Sequence, residues 1–224
     1  MTMMLSIVAS FLVLGPALRP PQEKFPAEDD AWLRFKPGTW IENKITVEVD
    51  GEAVESTQKQ TLKEKVGGEY LIEETGRSSG KELPAVQSRR TGGTITGKET
   101  IVVDGQDYSC RISVAKGQRE DGEVEVRYWM PKGNKYPLKV AFKQKNMEGE
   151  LTAVAVGEKM RVGDRDYECA RLEGKVKFGL SEGTMTVWLN QEIPGAQARA
   201  EMSLRGSTGL VKITAVPKEL HLEK

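Results

Sequence analysis

Apolar and polar residues alternate along most of this chain, and that period of two constrains the fold more than any other feature. In "WIENKITVEVDGEAV", Ile41, Ile45, Val47 and Val49 share one side of an extended backbone, while Glu42, Lys44, Thr46 and Glu48 share the other. The pattern returns in "VEVRYWM", with Val124, Val126, Tyr128 and Met130 opposed to Glu125, Arg127 and Trp129. It returns again in "AQARAEMSL", where Ala196, Ala198, Ala200, Met202 and Leu204 share a side. Strands that meet a core on one face and water on the other read this way, so the sheet is antiparallel; parallel strands, covered on both faces, would be continuously apolar. Asp50-Gly51 supplies the positive-φ pair of a tight hairpin.

Helical signal is confined to the N-terminal part. "FPAEDDAWLRFKPG" carries Pro26 near a helix start, Glu28, Asp29 and Asp30 in the first turn, and Pro37-Gly38 as a stop. This predicts an arm, residues 18–38, with a helix of about two turns. Trp32, Leu33 and Phe35 would pack it against one end of the sheet. Before it, the run Leu5–Leu14 is too short to span a bilayer but has the length of a secretory h-region, so residues 1–17 read as a signal peptide cleaved after Ala17. No cysteine stands directly after that run, which disfavours a lipid anchor, and no later stretch has the length and apolarity of a transmembrane helix. The expected location is periplasmic or extracellular. With 33 basic and 33 acidic residues and no basic block, the chain lacks the footprint that nucleic-acid binding needs.

An internal repeat organises the remainder. "VDGQDYSC" and "VGDRDYEC" align with a spacing of 59 residues, and the same spacing joins Val103 to Val162, Asp107 to Asp166, Trp129 to Trp188 and Leu151 to Leu210. Pro137 and Pro194 match after a small slip in the loop. A fainter copy, "GGEYLIEE", puts Tyr70 and Ile72 in place of the tyrosine and cysteine. The expected fold is all-β: a strongly curved antiparallel sheet or incomplete barrel of about a dozen strands, built from tandem meander units at about 39–97, 98–156 and 157–216 within one domain, 39–224.

These units, with their Tyr-x-Cys turns (Tyr108 and Cys110; Tyr167 and Cys169), a strand ending in Trp129 or Trp188 and loops bearing Pro137 or Pro194, resemble the envelope lipoprotein-carrier (Lol-type) superfamily and its relatives. The resemblance implies an unclosed antiparallel barrel with an apolar concave face. The long covering helices of those carriers have no counterpart here.

Little chemistry is signalled. Cys110 and Cys169 read as buried thiols rather than a disulfide, because equivalent positions in successive units lie several strands apart while a bridge needs Cα atoms within about 7 Å. Cys110 is expected to share its face with Tyr108, Ile112 and Val114. His221, the only histidine, lies in a tail expected to fray, so neither a metal site nor a catalytic triad has its parts. The Asp residues around the two turns are explained by turn chemistry rather than calcium. No cofactor is expected, and the chain reads as a non-enzymatic monomer. Trp129 and Trp188 fall on the polar face of their strands, where they either contact a ligand or partner together with Tyr108 and Tyr167, or cover the sheet beneath the Pro loops. Arg77 to Gly97 reads as an irregular solvated loop, in which Arg89 and Arg90 are available to an acidic ligand. Two functions remain: binding of a lipid or other apolar or amphipathic molecule in the curved sheet, or a structural or adhesion module that recognises another envelope protein.

Overall fold

The computed structural model describes residues 30–91, 94–119, 122–206 and 209–223. The predicted signal peptide and residues 18–29 of the predicted arm lie outside them. Thirteen strands account for most of the rest: β1 (Trp40–Val49), β2 (Glu52–Val66), β3 (Glu69–Ser78), β4 (Lys81–Thr91), β5 (Thr94–Val103), β6 (Gln106–Arg119), β7 (Gly122–Pro131), β8 (Lys139–Gln144), β9 (Met147–Val162), β10 (Arg165–Phe178), β11 (Ser181–Leu189), β12 (Gln197–Gly206) and β13 (Gly209–His221). All pairings are antiparallel. Asp50-Gly51 and Asp104-Gly105 both take positive φ, 52° and 88° in the first turn and 51° and 75° in the second, as two-residue hairpins of this twist require.

The strands form one sheet in the order β4-β3-β2-β1-β13-β12-β11-β10-β9-β8-β7-β6-β5. Its two edges, β4 and β5, are consecutive in the chain and separated only by residues 92 and 93. Laid flat, thirteen strands would hold those edges roughly 58 Å apart, whereas three peptide units reach about 11 Å. The sheet therefore has to curl until its edges approach. β4 touches β6 across the gap, and β9 touches both β5 and β13, yet β4 and β5 exchange no ladder and the sheet stays unclosed.

The core follows the period-two pattern. One row of directly paired residues runs from Tyr128 through Val140, Leu151, Gly174, Met185, Met202, Ile213 and Val47 to Val54, crossing from β7 to β2. Most of its members are buried, and the sheet coils around them. The coil depends on glycine where backbones approach: a Cβ on Gly174 would lie 1.9 Å from the Glu150 carbonyl oxygen, and one on Gly183 would lie 1.7 Å from that of Ser203.

Several expectations are corrected. The two-turn helix is a single 3₁₀ turn, Trp32–Arg34. Asp30 accepts a hydrogen bond from the Trp32 amide at 2.9 Å and Lys65 donates to the Leu33 carbonyl, so side chains and not helical turns hold the arm. Trp32 and Leu33 are buried against Leu62, Tyr70, Ile72 and Ile193, with Phe35 partly covered. The segment 77–97 is no loop, because it supplies the end of β3, all of β4 and the start of β5. His221 is not frayed, since it pairs with Trp40 and stacks on it at 6.1 Å between ring centroids. β9 runs unbroken from Met147 to Val162 and passes through Gly157 at φ 78°. Past Cys110, β6 buries Ser113 and Ala115 instead of Ile112 and Val114. The corresponding step in β10 is a bulge, where Cys169 and Ala170 are both buried and the pairing with β9 shifts.

Candidate functional site

The four aromatic residues singled out in the sequence do not converge on one cleft. Trp129 and Tyr108 pack on the large core cluster, whereas Tyr167 and Trp188 pack on the smaller cluster beneath the N-terminal turn. Trp129 is buried; its indole N–H donates to Glu99, and the Lys139 ammonium stands 4.8 Å above its ring. Trp188 is half-buried; its N–H donates to Glu158 at 2.7 Å, and the Arg199 guanidinium stands 5.5 Å from its ring. Glu99 lies opposite Cys110, and Glu158 lies opposite Cys169. Burial alone would raise the Glu158 carboxyl, but the Trp188 N–H and the Arg171 guanidinium outweigh it and hold the carboxyl below its usual range. Both indoles thus have their donor used and a cation over one face.

Tyr108 is half-buried and donates to Gln106 at 3.0 Å. Tyr167 is buried with no hydrogen-bond partner for its hydroxyl, and burial pushes its phenol up. Burial likewise pushes the Cys110 thiol up to about 11 and the Cys169 thiol up to about 12. Both cysteines are free and remain protonated at neutral pH, so neither is a ready nucleophile. Among the described residues, no three His, Cys, Asp or Glu side chains gather as a metal ion would require.

Of the residues that do converge, the sequence singled out Arg90 and missed its partners. β2, β3 and β4 turn a polar patch inward: Gln58 and Gln60, then Glu74, then Ser88 and Arg90. The Arg90 side chain is 1% exposed and that of Glu74 is 9%. Arg90 Nη2 donates to Glu74 Oε1 at 2.7 Å and Nε donates to Ser88 at 3.0 Å. Gln58 and Gln60 donate to the two Glu74 oxygens at 3.2 and 3.5 Å. Beside them the Tyr70 hydroxyl donates to Asp30 at 2.9 Å. Burial raises the Asp30 carboxyl despite the bonds from Tyr70 and the Trp32 amide and the charge of Arg90. Tyr128, reaching in from β7, is raised by burial and then by the negative charge of Asp30, and Arg90 opposes that rise. Its cross-strand neighbour is Ser113, whose buried hydroxyl has no partner. Arg90 Nη1 is also buried without an acceptor.

β4, which carries part of this patch, is one of the two unjoined edges of the sheet. Val86 lies opposite Glu74 and Ile95 lies opposite Ser113, so both share the faces of those polar residues. They stay 49% and 42% exposed, two apolar side chains on the edge strands β4 and β5. A second, shallow concavity lies across β7, β8 and β9, lined by Glu125, Arg127, Trp129, Lys143, Glu148 and Glu150. No described helix is long and apolar enough to cross a membrane.

No family model and no curated protein matches the chain. Solved structures do. A candidate lipoprotein from Parabacteroides distasonis ATCC 8503 superposes with a TM-score of 0.50 at 12% identity, covering 83% of this chain and 96% of that one. A candidate exported protein with a YmcC-like fold from Bacteroides fragilis NCTC 9343 gives a TM-score of 0.44 at 12% identity, over 84% and 97%. At such identity the first likeness is one of fold.

Proposed function

We propose that this is an exported, non-enzymatic protein of the cell envelope that holds an apolar or amphipathic molecule against the concave face of its sheet. The observation that carries the reading is the pair of exposed apolar residues, Val86 and Ile95, at the unjoined edges, where a polar patch borders the apolar row. The candidate lipoprotein of the same fold supports an envelope location, as does the h-region at Leu5–Leu14. The finer resemblance to the lipoprotein-carrier superfamily, with its tandem units, is part of this proposal. Of the aromatic set, Tyr108 and Trp188 keep surface to offer a ligand, while Trp129 and Tyr167 act through packing.

Native mass spectrometry of protein purified from its own envelope tests the reading, together with uptake of the uncharged dye Nile red. Co-purifying lipid or saturable uptake is expected; failure of both removes it. A structural or adhesion module is the second reading, favoured by the ionic lining of the concavity on β7–β9.

A further inference from the structure

The buried arginine has more donors than the protein uses. Of the three guanidinium nitrogens of Arg90, Nε is taken by Ser88 and Nη2 by Glu74, while Nη1 is buried without an acceptor. Glu74 is already held by three bonds, from Arg90 and Gln60 on one oxygen and Gln58 on the other, and does not reach Nη1. A buried charged donor left unpaired is costly, so the site calls for an acceptor from outside the chain. Ser113 is a second orphan: its hydroxyl is fully buried and without a partner, on the strand that β4 touches across the gap.

Charge decides what kind of acceptor fits. Arg90 and Glu74 already neutralise each other, and Asp30 stands close enough for its charge to be felt by Tyr70 and Tyr128. A full anion would bring uncompensated negative charge into a buried site, where desolvation outweighs what one shared guanidinium returns. A neutral carbonyl oxygen brings two lone pairs and no charge. We propose that Arg90 and Ser113 form the polar end of the ligand site and take the carbonyl of an uncharged acyl ester, with its chain lying along the apolar row, in preference to a free fatty-acid carboxylate. The inference rests on the ligand-binding reading above and adds to it the ligand's headgroup and charge.

Competition against Nile red on the full-length protein at pH 8 separates the two claims. Monodecanoylglycerol is expected to displace the dye at about tenfold lower concentration than decanoate, a difference of about 1.4 kcal/mol. In Glu74→Gln, which keeps the shape of the side chain and removes its charge, Arg90 is left unbalanced and the preference is expected to reverse toward decanoate. Ser113→Ala, a mild change that keeps the fold testable if the Glu74 variant is unstable, is expected to weaken ester binding several-fold. Dye binding with equal displacement by ester and acid, unaltered in both variants, would mean that an ordered water satisfies Arg90, and it overturns this inference while the apolar site stands. Absence of dye and lipid binding removes the broader reading instead.

Discussion

The corner at Tyr167 and Cys169 and the corner at Tyr70 and Ile72 both follow two-residue hairpin loops, but they place their charges differently. At the first, Glu158, Arg171, Trp188 and Arg199 form a network at the protein surface, with Arg171 and Glu158 about one-third exposed. At the second, Arg90 and Glu74 are sealed inside, and the tyrosine hydroxyl is bonded to Asp30, whereas that of Tyr167 has no partner. Water screens the first network, which therefore contributes little to stability and can vary. The second commits the fold, because removing either member strands a buried charge.

That contrast can be broken first at Arg90. Arg90→Met is expected to cost about 3–5 kcal/mol in urea unfolding, and Arg90→Met with Glu74→Leu to recover most of it. A cost below about 1 kcal/mol would place the buried pair with the exposed ones.

Alkali is the next lever. The unfolded thiols ionise near their ordinary value of 9.0, while the folded ones hold their protons up to about 11 and 12. The thiol contribution to stability is fully present below pH 9 and is lost as pH rises through that window. Cys110→Ala with Cys169→Ala should flatten this limb of a pH-stability curve by roughly 1–3 kcal/mol near pH 11. Asp30 follows the same sign at acid pH. Its raised carboxyl loses its contribution as pH rises above 3.8, and Asp30→Asn should remove that slope.

The tyrosines sharpen the comparison by sign. Tyr70→Phe leaves Asp30 short of a donor and should cost about 1–2 kcal/mol, whereas Tyr167→Phe removes an unsatisfied hydroxyl and should be neutral or stabilising. The exposed network should respond weakly. Trp188→Phe, read by thermal unfolding, should cost about 1 kcal/mol, through the lost bond to Glu158 and a weaker cation contact with Arg199.

Much of the sheet was legible because half-buried strands must alternate, as Ile41, Ile45 and Val47 do. β4 was not, for a physical reason: an edge strand tolerates Pro84 and a polar sequence that no central strand would accept, so the segment resembled a loop. With β4 hidden, Arg90 counted as a solvated charge, and the patch it forms with Glu74 and Gln60 had no visible partners. The change of buried face past Cys110 and Cys169 was equally hidden, since an irregularity of one residue leaves no mark in composition. The aromatic pairs at Trp129 and Trp188 were found as a matched set, but their carboxylate partners, Glu99 and Glu158, read as ordinary surface residues.

The strand order also bears on how the chain reaches this state. Every neighbouring pair in the sheet is consecutive in the chain except β1 and β13, whose register sets Val49 against Val211. The two sections β1–β4 and β5–β13 can each wind locally, but they can be joined only when the last strand is available, and loop closure over that separation slows the final step. Cutting the chain between β4 and β5 and linking the far ends would convert the whole sheet into one uninterrupted meander. Such a permutant would keep every pairing of the native sheet and fold faster, with the slow encounter of β1 and β13 replaced by a local turn.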